Sequence, residues 1–187
     1  MTDTPTRILR DQHVNILRIA SILEEVLATE PEPGAFDYDA VGDCVSFIRL
    51  YADALHHGKE EDLLFPELEA RGMSRQAGPI AVMLYEHEQG RAFAKAMADA
   101  LGPARAGDAD AQARLRHAGL GYVDLIRAHI GKEDNILFQM ADQLIDAPGC
   151  RTLCQAYEGV CQRRFDGCTV AELEGILASL TQRYPDA

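Results

Sequence analysis

The sequence predicts an all-α protein: an up-down-up-down four-helix bundle with one or two extra C-terminal helices. Apolar residues recur at helical spacing through most of the chain, and no stretch alternates apolar and polar residues as a strand would. Residues 56–65 are echoed by residues 129–138, 73 positions later, and the helix around His13 matches the one around His87, 74 positions later. A duplicated helical hairpin explains both echoes, and two hairpins make a four-helix bundle.

Helix boundaries follow from capping residues, prolines and glycines. They place the bundle helices over residues 5–29, 37–65, 74–101 and 108–145. The residues that predict these boundaries are Thr4 and Pro5, Pro31-Glu32-Pro33-Gly34, Asp37 or Asp39, Pro66, Ser74, Gly102-Pro103, Asp108 and Pro148-Gly149. Pro66 is expected to kink or end the second helix because proline lacks the amide hydrogen that a helix interior requires.

The repeat ends near residue 147. Residues 150–164 predict a short amphipathic helix, and Asp166-Gly167 predicts a turn. Thr169 and Glu172 have the spacing of a capping box, which opens a last helix. We therefore expect a four-helix bundle over residues 1–147 and a helical extension, packed on it, over residues 148–187.

The composition excludes several classes of partner. The net charge of -12 argues against nucleic acid and anionic membrane surfaces, which attract basic patches. No apolar run approaches the roughly 20 residues that span a bilayer, and residues 1–10 lack the apolar centre of a signal peptide. The expected location is therefore the cytoplasm, with the five cysteines reduced. The sequence leaves the oligomeric state open.

Histidines and glutamates repeat at spacings that suit metal binding. A His and a Glu four residues apart lie on one helix face, and each half of the chain has such a pair and one lone His. The six candidate metal ligands are His13, His56, Glu60, His87, His129 and Glu133. This nitrogen and oxygen set suits iron, manganese or zinc, and two carboxylates among four imidazoles indicate two bridged metals.

The spacing alone leaves two choices for the first His-x-x-x-Glu pair. His56–Glu60 and His57–Glu61 fit equally well. The repeat favours the former, because His56 aligns with His129 whereas His57 aligns with an isoleucine. His57 is left as a residue of the neighbouring face or an extra ligand. His117 has no counterpart in the repeat and is interpreted as a surface histidine.

The six-residue pattern resembles that of the hemerythrin-like (HHE cation-binding) family over about residues 5–145. The resemblance implies a four-helix bundle with a non-haem di-iron centre, bridged by an oxo or hydroxo group. It implies that Glu60 and Glu133 bridge the irons. In the pairing that we expect, His13 and His56 bind one iron, and His87 and His129 bind the other.

One feature of oxygen-carrying hemerythrins is missing. They have a further histidine one helical turn from the third-helix His, where this chain has Met83 and Arg91. The centre is therefore expected to lack one protein ligand. Solvent, the bridging group or a nearby side chain would fill that position, and the candidate side chains are His57, Glu86 and Glu88.

Three functions are compatible with this pattern. The first is a non-enzymatic di-iron protein that binds or senses oxygen or a related small oxidant, such as nitric oxide or peroxide. The second is a di-iron oxidoreductase that consumes peroxide or nitric oxide, or a protein that repairs damaged iron centres. The third is an interaction module in which the metal only stabilises the bundle. Zinc or manganese could replace iron in each case.

Four other side chains have two interpretations each. Cys150, Cys154 and Cys161 form one helical stripe, expected to pack as small apolar residues or to act as redox-active thiols. Tyr122 lies on the face of His129 and is expected to pack in the core or to hydrogen-bond a bound oxidant. Lys59, like its counterpart Lys132, is expected outside the ligand face, because one residue rotates the helix by about 100°.

Overall fold

The computed structural model describes residues 4–28 and 36–187, which are helical except for short connections and one isolated bridge between Phe165 and Cys168. The break predicted at residues 31–34 lies outside the described residues. Six helices follow one another: α1 Pro5–Ala28, α2 over residues 38–70, α3 Gly78–Arg105, α4 over residues 109–144, α5 Ala147–Cys161 and α6 Val170–Arg183. The predicted all-α class is confirmed.

Two of these helices contain π-helical turns at equivalent places. In α2, π-helical segments cover Ile48–His57 and Glu60–Leu64, between α-helical segments Tyr38–Phe47 and Phe65–Ala70. In α4, Glu133–Leu137 is π-helical between Ala109–Lys132 and Phe138–Leu144. Each half therefore has a π-helical segment beginning at its repeated glutamate. Such turns are rare and are often found at functional sites.

Neighbouring bundle helices run antiparallel. Between α3 and α4, the ring of His87 lies beside that of His129, whereas Phe93 lies beside Gly121. The residue number rises along one helix as it falls along the other. The same reversal relates α1 to α2, α1 to α4 and α2 to α3. The helix packing thus brings the two halves of the repeat face to face.

The bundle has two apolar clusters with a polar layer between them. The larger cluster includes Ile16, Leu55 and Ile126, and the smaller one includes Leu9 and Leu64. His13 falls between the two clusters along α1, and His56 and Glu60 fall between them along α2. The candidate ligands therefore lie in the interior of the bundle, where water does not offset the cost of burying them.

Asp37 and Asp108 cap α2 and α4 as the sequence predicts, but two prolines do not end their helices. The α2 helix continues through Pro66 to Ala70, because this proline stands in the first turn of the segment that follows a π turn. Likewise α3 continues through Pro103, and Gly107, with a φ of 93°, follows its end. The predicted end before Gly102 was wrong, and of the kink or end expected at Pro66 the structure excludes the end.

The predicted start of α3 was also wrong, and Pro148 has a different role from the one predicted. Ser74 does not cap α3: its hydroxyl accepts a hydrogen bond from the Gln76 amide, and the helix begins at Gly78. Pro148 does not simply stop α4. The α4 helix ends at Leu144, and Pro148 lies in the first turn of α5, which Asp146 caps.

The C-terminal helices pack on the bundle. Tyr157 of α5 is buried in the smaller apolar cluster, and α6 contributes Leu173 and Leu180 to the larger one. The capping box of Thr169 and Glu172 is present at the start of α6. The division of the chain at residue 147 stays a prediction. No helix in the described stretches combines the length and apolarity needed to cross a bilayer.

Candidate metal centre

The structure brings all six predicted ligands together and adds His57. Each of the seven side chains is buried, and the most accessible is only 5% exposed. They form two groups that share one carboxylate, with one ligand atom of each residue within 4.8 Å of the others. The first group is His13, His56, Glu60 and Glu133, and the second is His57, Glu60, His87 and His129.

The two glutamates each face both groups. For Glu60, Oε1 lies 3.7 Å from Nε2 of His56 and Oε2 lies 3.5 Å from Nε2 of His87. For Glu133, Oε2 lies 3.1 Å from Nε2 of His13 and Oε1 lies 3.2 Å from Nε2 of His129. One oxygen of each carboxylate therefore faces each group.

All five imidazoles are held by their other nitrogen. Each Nδ1 lies within hydrogen-bond distance of an amide or carboxylate oxygen, which leaves each Nε2 facing the centre. The pairs are His13–Asp134 at 2.9 Å, His56–Gln12 at 3.1 Å, His57–Asp53 at 3.4 Å, His87–Glu61 at 2.7 Å and His129–Glu86 at 3.0 Å. Metal-binding histidines are typically held in this way, with the tautomer fixed by an oxygen acceptor.

Most inward-facing atoms have no well-oriented hydrogen bond among the described protein atoms, although the two oxygens of Glu133 lie 3.1 and 3.2 Å from Nε2 of His13 and His129. The atoms without such a bond are Nε2 of His57, His87 and His129 and both carboxylate oxygens of Glu60 and Glu133. Nε2 of His13 and Nε2 of His56 lie 3.1 Å apart. If both Nδ1 atoms carry the proton, these two nitrogens are both acceptors. Because buried unsatisfied polar groups each cost about 1–3 kcal/mol, a cation between these atoms accounts for the arrangement.

The carboxylates and imidazoles shift one another's pKa values. Burial raises the pKa of Glu60, and the neighbouring Glu133 raises it further. Burial alone would raise the pKa of Glu133, but His129 and His13 lower it well below its usual value. Burial would lower the pKa of His129, but Glu133 and Glu86 raise it to about 9. The protonation of each carboxylate and imidazole thus depends on that of its neighbours. A bound cation would favour the deprotonated form of these groups.

The supporting residues follow the repeat as closely as the ligands do. His13 is held by Asp134, the residue after Glu133, and His87 is held by Glu61, the residue after Glu60. The lone histidine of each half is therefore held by the other half. This gives Glu61 a supporting role, where spacing alone made it an alternative ligand.

Two aromatic rings close one side of the centre. Phe138 stacks on His13 with ring centroids 5.4 Å apart, and Phe65 stacks on His87 at 6.0 Å. These phenylalanines are also 73 positions apart in the repeat. Their rings cover the imidazoles and limit the access of water from this side.

His57 is the functional residue whose role the sequence left open. It is 5% exposed, its Nε2 lacks a hydrogen-bond partner, and its ring stacks on His87 with centroids 3.8 Å apart. The π-helical segment that ends at His57 widens the turn and brings neighbouring histidines to one side, which an α-helical period does not predict. Of the alternative ligands, Glu86 accepts from His129, and Glu88 is paired with Arg91 at the surface.

The burial of the other singled-out side chains agrees with the sequence-based expectation at some positions and differs at others. His117 is exposed, as expected. Lys59 is fully buried, and its ammonium lies 5.6 Å from the centre of the Tyr157 ring of α5. Cys161 is exposed and does not pack in the core, whereas Cys150 and Cys154 are half-buried.

A cavity of about 520 Å³ reaches the second group of ligands from between α2, α3 and α4. His57, His87 and His129 lie at one end, and Tyr122 forms part of its wall. Tyr122 is 2% exposed, and its hydroxyl has no hydrogen-bond partner among the described protein atoms. The cavity offers a route by which a small molecule can reach the centre.

Comparisons with known proteins agree with this geometry. An uncharacterized protein of Mycobacterium bovis and one of Mycobacterium tuberculosis are each 24% identical over 157 residues, 84% of this chain and 61% of the relative. The iron-sulfur cluster repair protein YtfE of Musicola paradisiaca is 42% identical over 91 residues, 46% of this chain and 40% of YtfE. The chain thus spans less than two thirds of the length of these relatives. No solved structure matches it significantly.

The model of the hemerythrin HHE cation binding domain matches residues 4–141. This stretch contains every residue of both ligand groups and ends within α4. The chain therefore belongs to the hemerythrin HHE cation-binding family.

Proposed function

We propose that the chain is a di-iron protein that binds or senses oxygen or a related small oxidant. The observation that carries this proposal is the convergence of five Nε2 atoms on two buried carboxylates, with every Nδ1 held by an oxygen. Two iron ions fit this donor set, because imidazole and carboxylate ligands suit iron in either common oxidation state. Zinc or manganese would fit the same donors.

The proposed ligand set divides around the two carboxylates. His13 and His56 would hold one iron, and His57, His87 and His129 would hold the other. Glu60 and Glu133 would serve both, since each carboxylate offers one oxygen to each group. His57 is thus proposed as the ligand that the pattern lacked.

When bound, the iron pair would donate electrons to an oxidant or would provide a position at which the oxidant binds. The surrounding residues hold the imidazoles in one tautomer and exclude water. Phe65 and Phe138 cover one side of the centre, while the cavity beside Tyr122 admits a small molecule from the other side. A shielded centre that a cavity connects to the outside suits reversible binding of a small oxidant.

The test is metal analysis combined with optical spectroscopy. Protein purified without oxygen and reconstituted with ferrous iron is expected to hold two irons per chain. Its spectrum is expected to change on exposure to oxygen and to recover when oxygen is removed. His56→Ala and Glu133→Ala should lose iron, whereas His117→Ala, at an exposed histidine outside the centre, should behave as the parent. A chain that retains no iron, or a spectrum unaffected by oxygen, nitric oxide and peroxide, contradicts the proposal.

A second candidate is an oxidoreductase or an iron-centre repair protein. It is supported by the likeness to the iron-sulfur cluster repair protein YtfE. That likeness covers 46% of this chain. The discriminating experiment adds the iron-loaded chain to an iron-sulfur enzyme damaged by nitric oxide. If the parent chain restores the activity of that enzyme and Glu133→Ala does not, the result favours repair. Sustained consumption of peroxide or nitric oxide would favour an oxidoreductase, and a single binding event would favour sensing.

A further inference from the structure

We propose that the cavity beside the metal centre binds an oxygenated aliphatic carboxylate of medium chain length, such as a hydroxy- or hydroperoxy-fatty acid. A diatomic molecule does not need this space. The cavity volume is about 520 Å³, whereas one water molecule in the liquid occupies about 30 Å³. It falls within the roughly 300–1,000 Å³ that is usual for sites that bind small organic molecules.

The shape of the cavity suits a narrow apolar chain. Gly90, Ala94 and Ala98 line it along α3 at spacings of four residues, so that one face of the helix carries almost no side chain. The lining of α3 extends from Glu86 to Asp99, about 20 Å at 1.5 Å per residue. Leu125 of α4 adds to its apolar wall. An aliphatic chain can therefore lie along the small residues of α3.

The inner part of the cavity contains an unsatisfied donor. The hydroxyl of Tyr122 lies in a side chain that is 2% exposed, and it has no hydrogen-bond partner among the described protein atoms. A buried hydroxyl without a partner costs about 1–3 kcal/mol. An oxygen atom on the bound chain would accept its hydrogen bond close to the ligands of the metal centre.

The outer part of the cavity contains an uncompensated positive charge. Lys95 pairs with Asp99, and Arg91 pairs with Asp53, so these lining charges neutralise one another. Arg49 also lines the cavity and is exposed, and it has no ion pair among the described residues. A carboxylate at the outer end of the chain would complement this guanidinium.

The test measures binding of 8-hydroxyoctanoate and octanoate to metal-free protein by isothermal titration calorimetry. It does not require iron, so its failure is separate from failure of the proposed function. Gly90→Leu is expected to weaken both probes at least about tenfold, because a leucine side chain would fill the cavity beside Tyr122 and Leu125. Gly102→Leu is the matched control on the same helix, where an added Cβ meets nothing within 4 Å, and it should bind as the parent does.

Two further variants test the two ends of the ligand. Arg49→Gln should weaken both probes about two- to fivefold, the effect of one exposed ion pair. Tyr122→Phe should weaken 8-hydroxyoctanoate about threefold or more and leave octanoate unchanged, since only the former has an oxygen to accept the hydrogen bond. If Gly90→Leu fails to fold, Ala98→Leu blocks the same cavity nearer its outer end.

Three outcomes would overturn the inference. The first is that neither probe binds. The second is that Gly102→Leu weakens binding as much as Gly90→Leu does. The third is binding that occurs only after zinc is added, because the carboxylate would then lie at the metal centre and not beside Arg49.

Discussion

Gln12 and Glu86 hold equivalent histidines in the two halves of the bundle, one through an amide and the other through a carboxylate. Gln12 Oε1 lies 3.1 Å from Nδ1 of His56, and Glu86 Oε2 lies 3.0 Å from Nδ1 of His129. Glu86 also pairs with Lys132, whereas the equivalent Lys59 is buried beneath α5. The duplicated centre is therefore chemically unequal on its two sides.

This inequality predicts that the metal at the site of His56 leaves before the metal at the site of His129. A carboxylate makes the imidazole that it holds a stronger donor than an amide does, and changes to such supporting residues typically alter metal affinity about 10–100-fold. Glu86→Gln is expected to weaken the site of His129 by at least about tenfold. Gln12→Glu is expected to strengthen the site of His56. Titration of zinc-loaded protein with a chelator measures both. Equal release of the two metals from the parent and both variants would contradict this prediction.

His57 is expected to be needed for full metal loading. It joins His87 and His129 in the second ligand group, and its Nε2 has no other partner among the described residues. His57→Ala should lower the affinity of that site at least about tenfold and leave the site of His13 and His56 occupied. Elemental analysis after dialysis measures the stoichiometry, and His117→Ala is the control. Two tightly held metals in His57→Ala would show that His57 only covers His87.

Metal binding is expected to stabilise the fold. A metal present at a thousand times its dissociation constant contributes about 4 kcal/mol to the free energy of unfolding. Thermal unfolding with and without zinc should therefore show a higher Tm for the loaded protein. Glu60→Gln and Glu133→Gln should lose most of this increase, because each removes a bridging carboxylate. A Tm unaffected by zinc in the parent would sink the prediction.

Asp37 is expected to make the attachment of α6 dependent on pH. Its carboxylate accepts hydrogen bonds from the Ala40 amide at 2.9 Å and the Tyr184 hydroxyl at 2.8 Å, and it pairs with Arg183. Burial raises the pKa of Asp37, but these donors and the Arg183 charge lower it overall. The stabilisation is therefore present above the unfolded value of about 3.9 and is lost as the pH falls through the lowered folded value.

Asp37→Ala tests this attachment. The loss of a helix cap typically costs about 1 kcal/mol, so the variant should unfold at a lower urea concentration at pH 7. The difference from the parent should shrink as the pH falls below about 4. Asp37→Asn is the control for the cap, because asparagine caps helices as well as aspartate but does not pair with Arg183. A difference that stays constant with pH would show that the cap alone matters.

The sequence by itself determined the fold class and six candidate ligands. Helical periodicity revealed the helices, and the repeat selected His56 and Glu60 over equally spaced neighbours. The sequence was less able to place helix ends, because it cannot show that a π turn precedes Pro66 or that α3 continues past Pro103 towards Gly107, whose φ is positive. These are local backbone geometries, which a proline or glycine permits without requiring them.

Only the tertiary structure decided the place of His57 and the partners of the imidazoles. A regular helical period directs neighbouring residues to different faces, so the π-helical segment of α2 was needed to bring His57 beside His87. The Nδ1 acceptors mostly come from other helices, and their distances in sequence carry no signal until the bundle packs. The sequence thus predicted six candidate ligands, and the packing of the two halves decided how these residues are held.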